Sequence, residues 1–257
     1  MNKPSPKQLT VLNSKKITAN MQRITLQGDV LAGFSNDCAG NYIKLLFNSI
    51  GGTDLSTVPE DEKPIMRTYT IRSFSPINHT IEIDFVRHIT EDLQCGFAAR
   101  WAINAKKGDI INIVGPGTIK DMNKHADWFL MVADMTALPA LSAKIKNLPN
   151  DAKGYAIIKV IENNDIQLIE APKNLKVIWI TNEESLYSKV KSLSWLDGIV
   201  SIWSACEFDA MRQLRSYYKN EKQVAHENIY ISSYWKKGVS EDGHKVIKKQ
   251  DATQNNS

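Results

Sequence analysis

The sequence predicts a two-domain protein in which an antiparallel β-barrel is followed by a doubly wound, mainly parallel α/β domain. The 257 residues are enough for two domains of about 100–150 residues each. In the first half, short runs of β-branched and aromatic residues are separated by Gly, Asn, Asp and Ser, as is typical of antiparallel strands. After residue 125, continuous apolar runs alternate with helical patterns, which favours a parallel sheet covered by helices.

The predicted barrel domain covers residues 1–122. Its strands are expected in "KQLTVLNS", "MQRITLQG", "NYIKLLFN", "RTYTIRSF" and "TIEIDFVRH". In the last of these, Ile81, Ile83 and Phe85 alternate with polar positions, which indicates one buried face. The stretch 51–64 loses this alternation and is expected to be a surface loop. A short helix in "CGFAARWAINAK" and a closing strand in "GDIINIVGPG" complete a closed or nearly closed barrel.

The predicted α/β domain covers residues 123–250. Buried strands are expected in "DWFLMVAD", "GYAIIKVI", "NLKVIWIT" and "GIVSIWSA". "LPALSAKIKNLP" predicts a helix with Pro139 in its first turn, where a missing N–H group costs little. Further helices are expected in "ESLYSKVKSL" and "FDAMRQLRSYYKNEK", and a last strand, "NIYISSYW", precedes a basic end. We expect residues 251–257 to form a disordered tail.

Composition excludes several classes of protein. A net charge of +4 is too small to indicate a nucleic-acid partner. No apolar run approaches the roughly 18–20 residues that span a bilayer, and no signal peptide is visible. The three cysteines lack CxxC spacing, which argues against structural zinc or an iron–sulfur cluster and fits a reducing cytoplasm. We therefore expect a cytoplasmic protein without a metal site and without membrane or nucleic-acid partners.

The stretch "RTYT" has the residue types that bind a flat, anionic ligand. On a strand, Arg67 and Tyr69 share one face, and Thr68 and Thr70 share the other. A tyrosine ring can pack on an isoalloxazine, a guanidinium can pair with pyrophosphate oxygens, and Thr70 can hydrogen-bond to the polar flavin edge. The alternative is a cross-strand Tyr–Arg pair on the barrel surface.

Two neighbouring stretches extend this candidate site. In "DFVRH" (84–88), a flavin site would use the strand end to hold the adenosine or pyrophosphate, but Phe85 also suits the core and His88 a turn. In "GFAARWA" (96–102), small residues at a helix start let phosphate approach free N–H groups. Phe97 and Trp101 lie on one face of that helix, where they suit packing against the barrel equally well.

In the second domain, the candidate residues follow buried strands, where parallel sheets bind ligands. Thr136 lies in "VADMTALPA", and Cys206 and Glu207 end "SACE". No GxGxxG or GxxxxGK[ST] motif is present, so a nicotinamide dinucleotide would be held by Thr136 and nearby N–H groups. Cys206 and Glu207 are candidates for the electron-donor side, although Cys206 also suits a small buried position. No nucleophile–base set is present, so no catalytic side chain is predicted beyond the flavin itself.

In chain order, "RTYTIRSF", "IDFVRH", "GFAARWA", "DWFLMVADMTALPA", "IWSACE" and "YWKKG" resemble the siderophore-interacting proteins, from about residue 10 to residue 245. These are FAD-containing ferric-siderophore reductases of the ferredoxin–NADP reductase superfamily. The resemblance implies a barrel that binds FAD, a domain of the pyridine-nucleotide type and a ferric siderophore as substrate. Transferred position by position, it implies FAD contacts at Arg67, Tyr69, Thr70, Asp84, Val86, His88, Ala98 and Trp101, with Thr136 close to the flavin.

The sequence departs from the family pattern at two positions on the presumed donor side. The family usually has Asp-Glu-Thr where this chain has Asp134-Met135-Thr136, and Gly-Glu where it has Cys206-Glu207. NADPH, NADH and reduced ferredoxin therefore all remain candidate donors. Lys44, Lys120 and Lys237 are candidates for attracting an anionic siderophore, or they are ordinary solvated lysines. Alternative functions are a general flavin or ferric reductase and a non-catalytic siderophore-binding module for iron trafficking.

Overall fold

The computed structural model describes residues 5–87, 96–181 and 183–255. The chain divides into two compact units, Met1–Ile119 and Lys120–Ser257. This division falls close to the predicted boundary between residues 122 and 123. Within the described residues, no helix combines the length and the apolar character needed to cross a bilayer.

The first unit is a seven-stranded sheet with the strand order β4-β3-β7-β1-β2-β6-β5, and its neighbouring strands pair antiparallel. Among the described residues of this unit, the α-helix α1 lies between β6 and β7 in the sequence. The elements are β1 (Lys7–Thr18), β2 (Met21–Gln27), β3 (Tyr42–Phe47), β4 (Ile65–Thr70), β5 (Ser73–Ser75), β6 (Thr80–Val86), α1 (Phe97–Asn104) and β7 (Ile110–Gly117).

A two-residue corner explains how this sheet becomes barrel-like. "RTYTIRSF" was expected to be one strand, but β4 ends at Thr70 and β5 begins at Ser73. Ile71 donates its N–H to the Asn41 carbonyl oxygen, and Arg72 donates to that of Glu82, each at 2.8 Å. The backbone therefore changes partner from the β3 side to β6 between these residues. Since β4 and β5 are the two edges of the sheet, the corner brings those edges together.

The predicted pattern of β6 is confirmed. Ile81, Ile83 and Phe85 are fully buried in the hydrophobic core of the first unit. Tyr69 and Trp101 are partly buried and pack against the same core. The apolar face of β6 therefore supports the aromatic side chains that were predicted to contact a ligand.

The second unit is a five-stranded parallel sheet with the order β10-β9-β8-β11-β12, as predicted for a doubly wound domain. Pro139 lies in the first turn of α2, also as predicted. The chain runs to one side of β8 and then to the other, so the order reverses between β8 and β11. The elements are β8 (Trp128–Asp134), α2 (Leu138–Lys146), β9 (Lys153–Lys159), β10 (Asn174–Ile180), α3 (Leu186–Lys191), β11 (Val200–Glu207), α4 (Phe208–Ser216), β12 (Ile229–Trp235) and α5 (Glu241–Asn255).

The expectation of a disordered tail at 251–257 was wrong for residues 251–255, which belong to α5. The reason is an ion pair that the local composition does not reveal. Asp251 is buried and accepts two hydrogen bonds from the Arg215 guanidinium, at 2.6 and 2.8 Å. Arg212 lies 3.4 Å from the same carboxylate. These contacts attach the last turns of α5 to α4; residues 256–257 lie outside the described residues.

We predict that Asp251→Ala lowers the free energy of unfolding by roughly 2 kcal/mol, because the partly buried Arg215 loses its bidentate partner. Chemical denaturation measures this change. The control is Lys249→Ala, at an exposed position of the same helix, which we expect to have little effect. Equal effects of the two substitutions would mean that the ion pair does not hold α5.

Candidate functional site

On the first unit, three aromatic rings lie side by side next to β4. The ring of Tyr69 is 4.4 Å from that of Phe85, measured between centroids, with an angle of 37° between the planes. Trp101 meets Phe85 at 5.7 Å in an edge-to-face arrangement. Because Phe85 is fully buried whereas Tyr69 and Trp101 are only partly buried, the two outer rings offer aromatic surface supported by a rigid core residue.

Beside these rings, two guanidinium groups meet at the beginning of α1. The Cζ atoms of Arg67 and Arg100 lie 5.6 and 5.3 Å from the centre of the Phe97 ring. Helix α1 starts after its N-cap residue Gly96, which has a left-handed backbone (φ 69°) and, being glycine, no side chain that could cap the helix. A helix N-terminus and two fixed cations favour the same ligand chemistry, namely phosphate oxygens.

A cavity of about 340 Å³ lies alongside α1, lined in part by Phe97, Arg100 and Trp101. Gly51 forms its opposite rim and has a positive φ of 83°. A Cβ atom at this position would lie 2.7 Å from the Phe97 ring. The loop can therefore approach the helix this closely only with glycine at residue 51.

The structure places the other predicted FAD contacts in varied surroundings. Asp84 is buried, and its carboxylate binds Arg23 through two hydrogen bonds of 2.7 and 2.9 Å. Arg72 lies 3.3 Å from the same group. Thr70 and Ala98 are buried, Val86 is partly buried at the end of β6, and His88 lies outside the described residues. Asp84 thus serves an ion-pair cluster, while Arg67, Tyr69, Ala98 and Trp101 gather around Phe97 and Phe85.

On the second unit, one carboxylate joins the carboxyl ends of three strands. Asp134, the last residue of β8, is buried. Its Oδ1 accepts hydrogen bonds from the N–H and the hydroxyl group of Thr136, at 2.9 and 2.5 Å. Its Oδ2 accepts from the N–H of Glu207 on β11 at 2.9 Å and from the indole N–H of Trp235 on β12 at 2.8 Å. We call these four residues the Asp134 network.

Two effects act in opposite directions on the pKa of Asp134. Burial disfavours the charged carboxylate and raises the pKa, whereas the hydrogen bonds from Thr136, Trp235 and Glu207 favour it and lower the pKa. Burial is the larger effect, so the pKa lies above its ordinary value. The proton is therefore bound more tightly in the folded protein than in the unfolded chain.

The predicted donor-side residues have different environments. Thr136 is partly buried within the Asp134 network. Cys206 is fully buried, and burial, with smaller contributions from Asp134 and Glu207, raises its thiol pKa well above the usual value. The carboxylate of Glu207 caps α4 by accepting hydrogen bonds from the N–H groups of Asp209 and Ala210. A neutral, buried Cys206 thiol is a packing group in this arrangement rather than a nucleophile.

The predicted lysines lie on different elements. Lys44 is partly buried on β3, where it faces Thr68 of β4. Lys120 is exposed, and Lys237 is exposed just after β12. The N–H of Lys237 donates to Glu207 Oε1 at 3.3 Å, which fixes its backbone beside the Asp134 network. Within the described residues, no group of three or more His, Cys, Asp or Glu side chains is arranged to hold a metal ion.

Sequence reasoning missed Asp134, Trp235 and Arg100 as site residues. Asp134 is the first charged residue after a continuous apolar strand, a position at which parallel sheets commonly place functional groups. Arg100 lies within "GFAARWA", one turn after the helix start. Trp235 lies in "YWKKG", one of the stretches that carry the resemblance, but its contact gave no local signal because its partner is 101 residues away in the sequence.

Comparison with known proteins connects both units to one family. Residues 10–120 match the model of the siderophore-interacting FAD-binding domain, and residues 126–238 match that of the siderophore-interacting protein. Ferric vibriobactin reductase ViuB from Vibrio cholerae is 30% identical, over 93% of this chain and 92% of that protein. Ferric acinetobactin reductase from Acinetobacter baumannii is 33% identical, over 71% and 64%. The crystal structure of the siderophore-interacting protein SipS from Aeromonas hydrophila matches with a TM-score of 0.85 and 28% identity, covering 97% and 99%.

The raised pKa of Asp134 leads to a pH-dependent stability. Between the ordinary aspartate pKa of about 3.9 and the higher folded value, the folded state binds more protons than the unfolded state. The contribution of Asp134 is therefore fully present at low pH and is lost as the pH rises through this window. We predict a pH-dependent difference between the unfolding free energies of the wild type and of Asp134→Asn. This difference, taken as wild type minus variant, falls by up to about 1.4 kcal/mol for each pH unit within the window.

Denaturation curves of both proteins at a series of pH values measure this difference. A carboxyl-carbon NMR titration of Asp134 provides an independent check. A difference that stays constant, or that increases with pH, would show that hydrogen bonding outweighs burial at this carboxylate.

Proposed function

Because the chain belongs to the siderophore-interacting protein family, we propose that it is a flavin-dependent reductase that converts siderophore-bound Fe(III) to Fe(II). Both units match models from this family, and the two related reductases named above act on ferric siderophores by name. Of the structural observations, the one that carries the proposal is the group of Arg67, Tyr69 and Arg100 beside the start of α1.

This group of residues fits FAD. The pyrophosphate needs positive charge and N–H donors, which the guanidiniums of Arg67 and Arg100 and the first turn of α1 provide. Ala98 and Ala99 in that turn have small side chains. The flat isoalloxazine needs an aromatic surface, and Tyr69 is held by Phe85 in a position to provide one. When bound, FAD supplies an electron carrier that can receive a pair of electrons and give them up singly.

The remaining predicted contacts have supporting roles in this proposal. Thr70 ends β4 next to Tyr69 and can offer a hydrogen bond to the flavin edge. Val86 and His88 follow the buried part of β6 and would line the adenosine side. Asp84 is a positioning residue: by pairing with Arg23 and Arg72, it fixes β6 against β2 and against the corner that follows β4.

The substrate is proposed to be an anionic ferric siderophore. The exposed Lys120 and Lys237 and the partly buried Lys44 would attract it electrostatically. Such attraction weakens as the salt concentration rises, most of all for the exposed lysines. Hard oxygen ligands hold Fe(II) less tightly than Fe(III), so reduction releases the iron. We place this release in the cytoplasm, since the free, buried thiols of Cys38 and Cys206 suit a reducing compartment.

The second unit, from about residue 123 to the end of α5, is proposed to receive the electron donor. Its sheet has the strand order of a nucleotide-binding domain, with the order reversing at β8 and β11. Thr136 and Glu207 lie at that edge, and no glycine-rich loop accompanies them. NADPH, NADH and reduced ferredoxin are the donors to compare.

Tyr69 tests the proposed flavin site. We predict that Tyr69→Ala weakens FAD binding roughly 10- to 100-fold, because the flavin loses the aromatic surface on which it packs. Tyr69→Phe keeps the ring and should stay within about threefold of the wild type. Flavin fluorescence during titration of FAD into the cofactor-free protein measures both affinities.

Thermal unfolding of the cofactor-free variants serves as the control, since Tyr69 also contacts Phe85. If Tyr69→Ala binds FAD as tightly as the wild type while remaining folded, Tyr69 is not part of the cofactor site. A colourless purified protein that takes up no added FAD would remove the flavin assignment altogether.

The reaction itself is tested by stopped flow. The FAD-loaded protein is reduced, mixed with a ferric siderophore and a colourless Fe(II) chelator, and followed by flavin absorbance. We expect reoxidation that depends on the iron complex, together with formation of the coloured Fe(II) chelate. Parallel measurements with NADPH, NADH and reduced ferredoxin identify the donor.

Ferric citrate is the comparison substrate. Rates on ferric citrate equal to those on ferric siderophores would indicate a general ferric reductase. Binding of siderophore without reoxidation by any iron complex would indicate a non-catalytic binding module.

A further inference from the structure

A β-bulge near the end of β12 determines where Trp235 points. Along the β11–β12 pair, Cys206 lies opposite Ser233, but the next residue, Glu207, lies opposite Trp235. Tyr234 is therefore an extra residue on β12. Bulges of this kind redirect side chains and are frequent next to binding sites.

Trp235 extends over the end of the neighbouring strand. β12 and β8 are separated by β11, so their backbones are roughly 9.5 Å apart. The indole N–H nevertheless reaches Oδ2 of Asp134 at 2.8 Å. The N–H of Glu207, the last residue of β11, donates to the same oxygen. The indole must therefore lie across the carboxyl end of β11.

This indole is fixed but not buried. Trp235 is 39% exposed, although its N–H is bonded to a buried carboxylate. A tryptophan that served only the core would bury its ring, and one that served only the surface would not need a buried anchor. The anchored and exposed ring is a flat apolar surface at the edge where parallel sheets bind their ligands.

Two lysines directly follow Trp235 in the sequence, and one of them is paired. Lys236 turns back towards α4, where its Nζ pairs with Asp209 at 3.0 Å and lies 4.8 Å from the centre of the Phe208 ring. Lys237 is exposed, and its backbone is held by Glu207. An aromatic surface with an adjacent exposed cation suits a ligand that is both aromatic and anionic.

We propose that Trp235 is a specificity-determining residue that stacks on an aromatic ring of the substrate, so that the protein favours catecholate over hydroxamate siderophores. This inference rests on the proposed function, since it names the substrate class of that reaction. A catecholate complex presents aromatic rings and negative charge, whereas a simple hydroxamate complex presents no aromatic ring. Asp134 is the positioning residue, because it holds the indole across β11.

The test compares two iron complexes on the FAD-loaded protein. The probes are the ferric complex of 2,3-dihydroxybenzoate and the ferric complex of acetohydroxamate. Their dissociation constants are measured by ultrafiltration, and their KM values in the reduction assay. For Trp235→Leu, we expect catecholate binding to weaken roughly fivefold, with hydroxamate binding changed less than about twofold. Trp235→Phe keeps an aromatic ring and should retain most of the preference.

The control variant is Trp195→Phe, at a partly buried tryptophan that packs against Trp128 at the opposite, amino end of the sheet. It should leave both constants unchanged. Thermal unfolding establishes that each variant is folded. The ratio of the catecholate to the hydroxamate dissociation constant does not depend on the fraction of active protein.

The outcomes separate this inference from the proposed function. A selective loss of catecholate binding supports the stacking role of Trp235. An equal loss for both complexes, no loss, or a change confined to the KM of NADPH or NADH overturns it. If the wild type reduces neither complex with any donor, the proposed function itself fails, and the substrate assignment fails with it.

Discussion

In the second unit, the carboxyl ends of three strands are connected by one buried carboxylate. Asp134 accepts hydrogen bonds from Thr136, Glu207 and Trp235, and in this way it connects the ends of β8, β11 and β12. Three of its donors are N–H groups that cannot act as acceptors. Removing the carboxylate would leave these donors without a partner at a buried position, which costs more than one ordinary hydrogen bond. The shape of this sheet edge is therefore set by Asp134 rather than by the strands themselves.

The first unit uses a carboxylate in a different way. Asp84 pairs with Arg23 and Arg72, and Glu82 lies 3.8 Å from Arg23. This cluster stabilises the contact between β6 and its neighbours. The positive charge beside α1 comes from another pair, Arg67 and Arg100, whose guanidiniums lie against the Phe97 ring. Separate arginines therefore serve the barrel and the proposed cofactor site.

Local patterns predicted those features that depend on local physics. The alternation of β6 and the position of Pro139 in α2 follow from side-chain periodicity and from the geometry of a helix start, so both could be read from short stretches. The corner at residues 71–72, the pairing of Arg215 with Asp251 and the bond between Trp235 and Asp134 join distant parts of the chain. No short stretch encodes such contacts, which is why the tail was misjudged and the indole was overlooked. The residues around Phe97 were predicted in part. Their residue types indicated a ligand site, but the sequence did not show that Arg67 and Arg100 meet at the same ring.

The two positions that depart from the family pattern, Met135 and Cys206, are both buried. Met135 and Cys206 replace the usual glutamate and glycine, and their side chains are 4% and 0% exposed. Both substitutions therefore alter packing beneath the sheet edge. Asp134, Thr136 and Glu207, which the family pattern retains, supply the polar groups of that edge. We therefore propose that a preference for one electron donor over another depends on these retained polar groups rather than on the two buried, substituted positions.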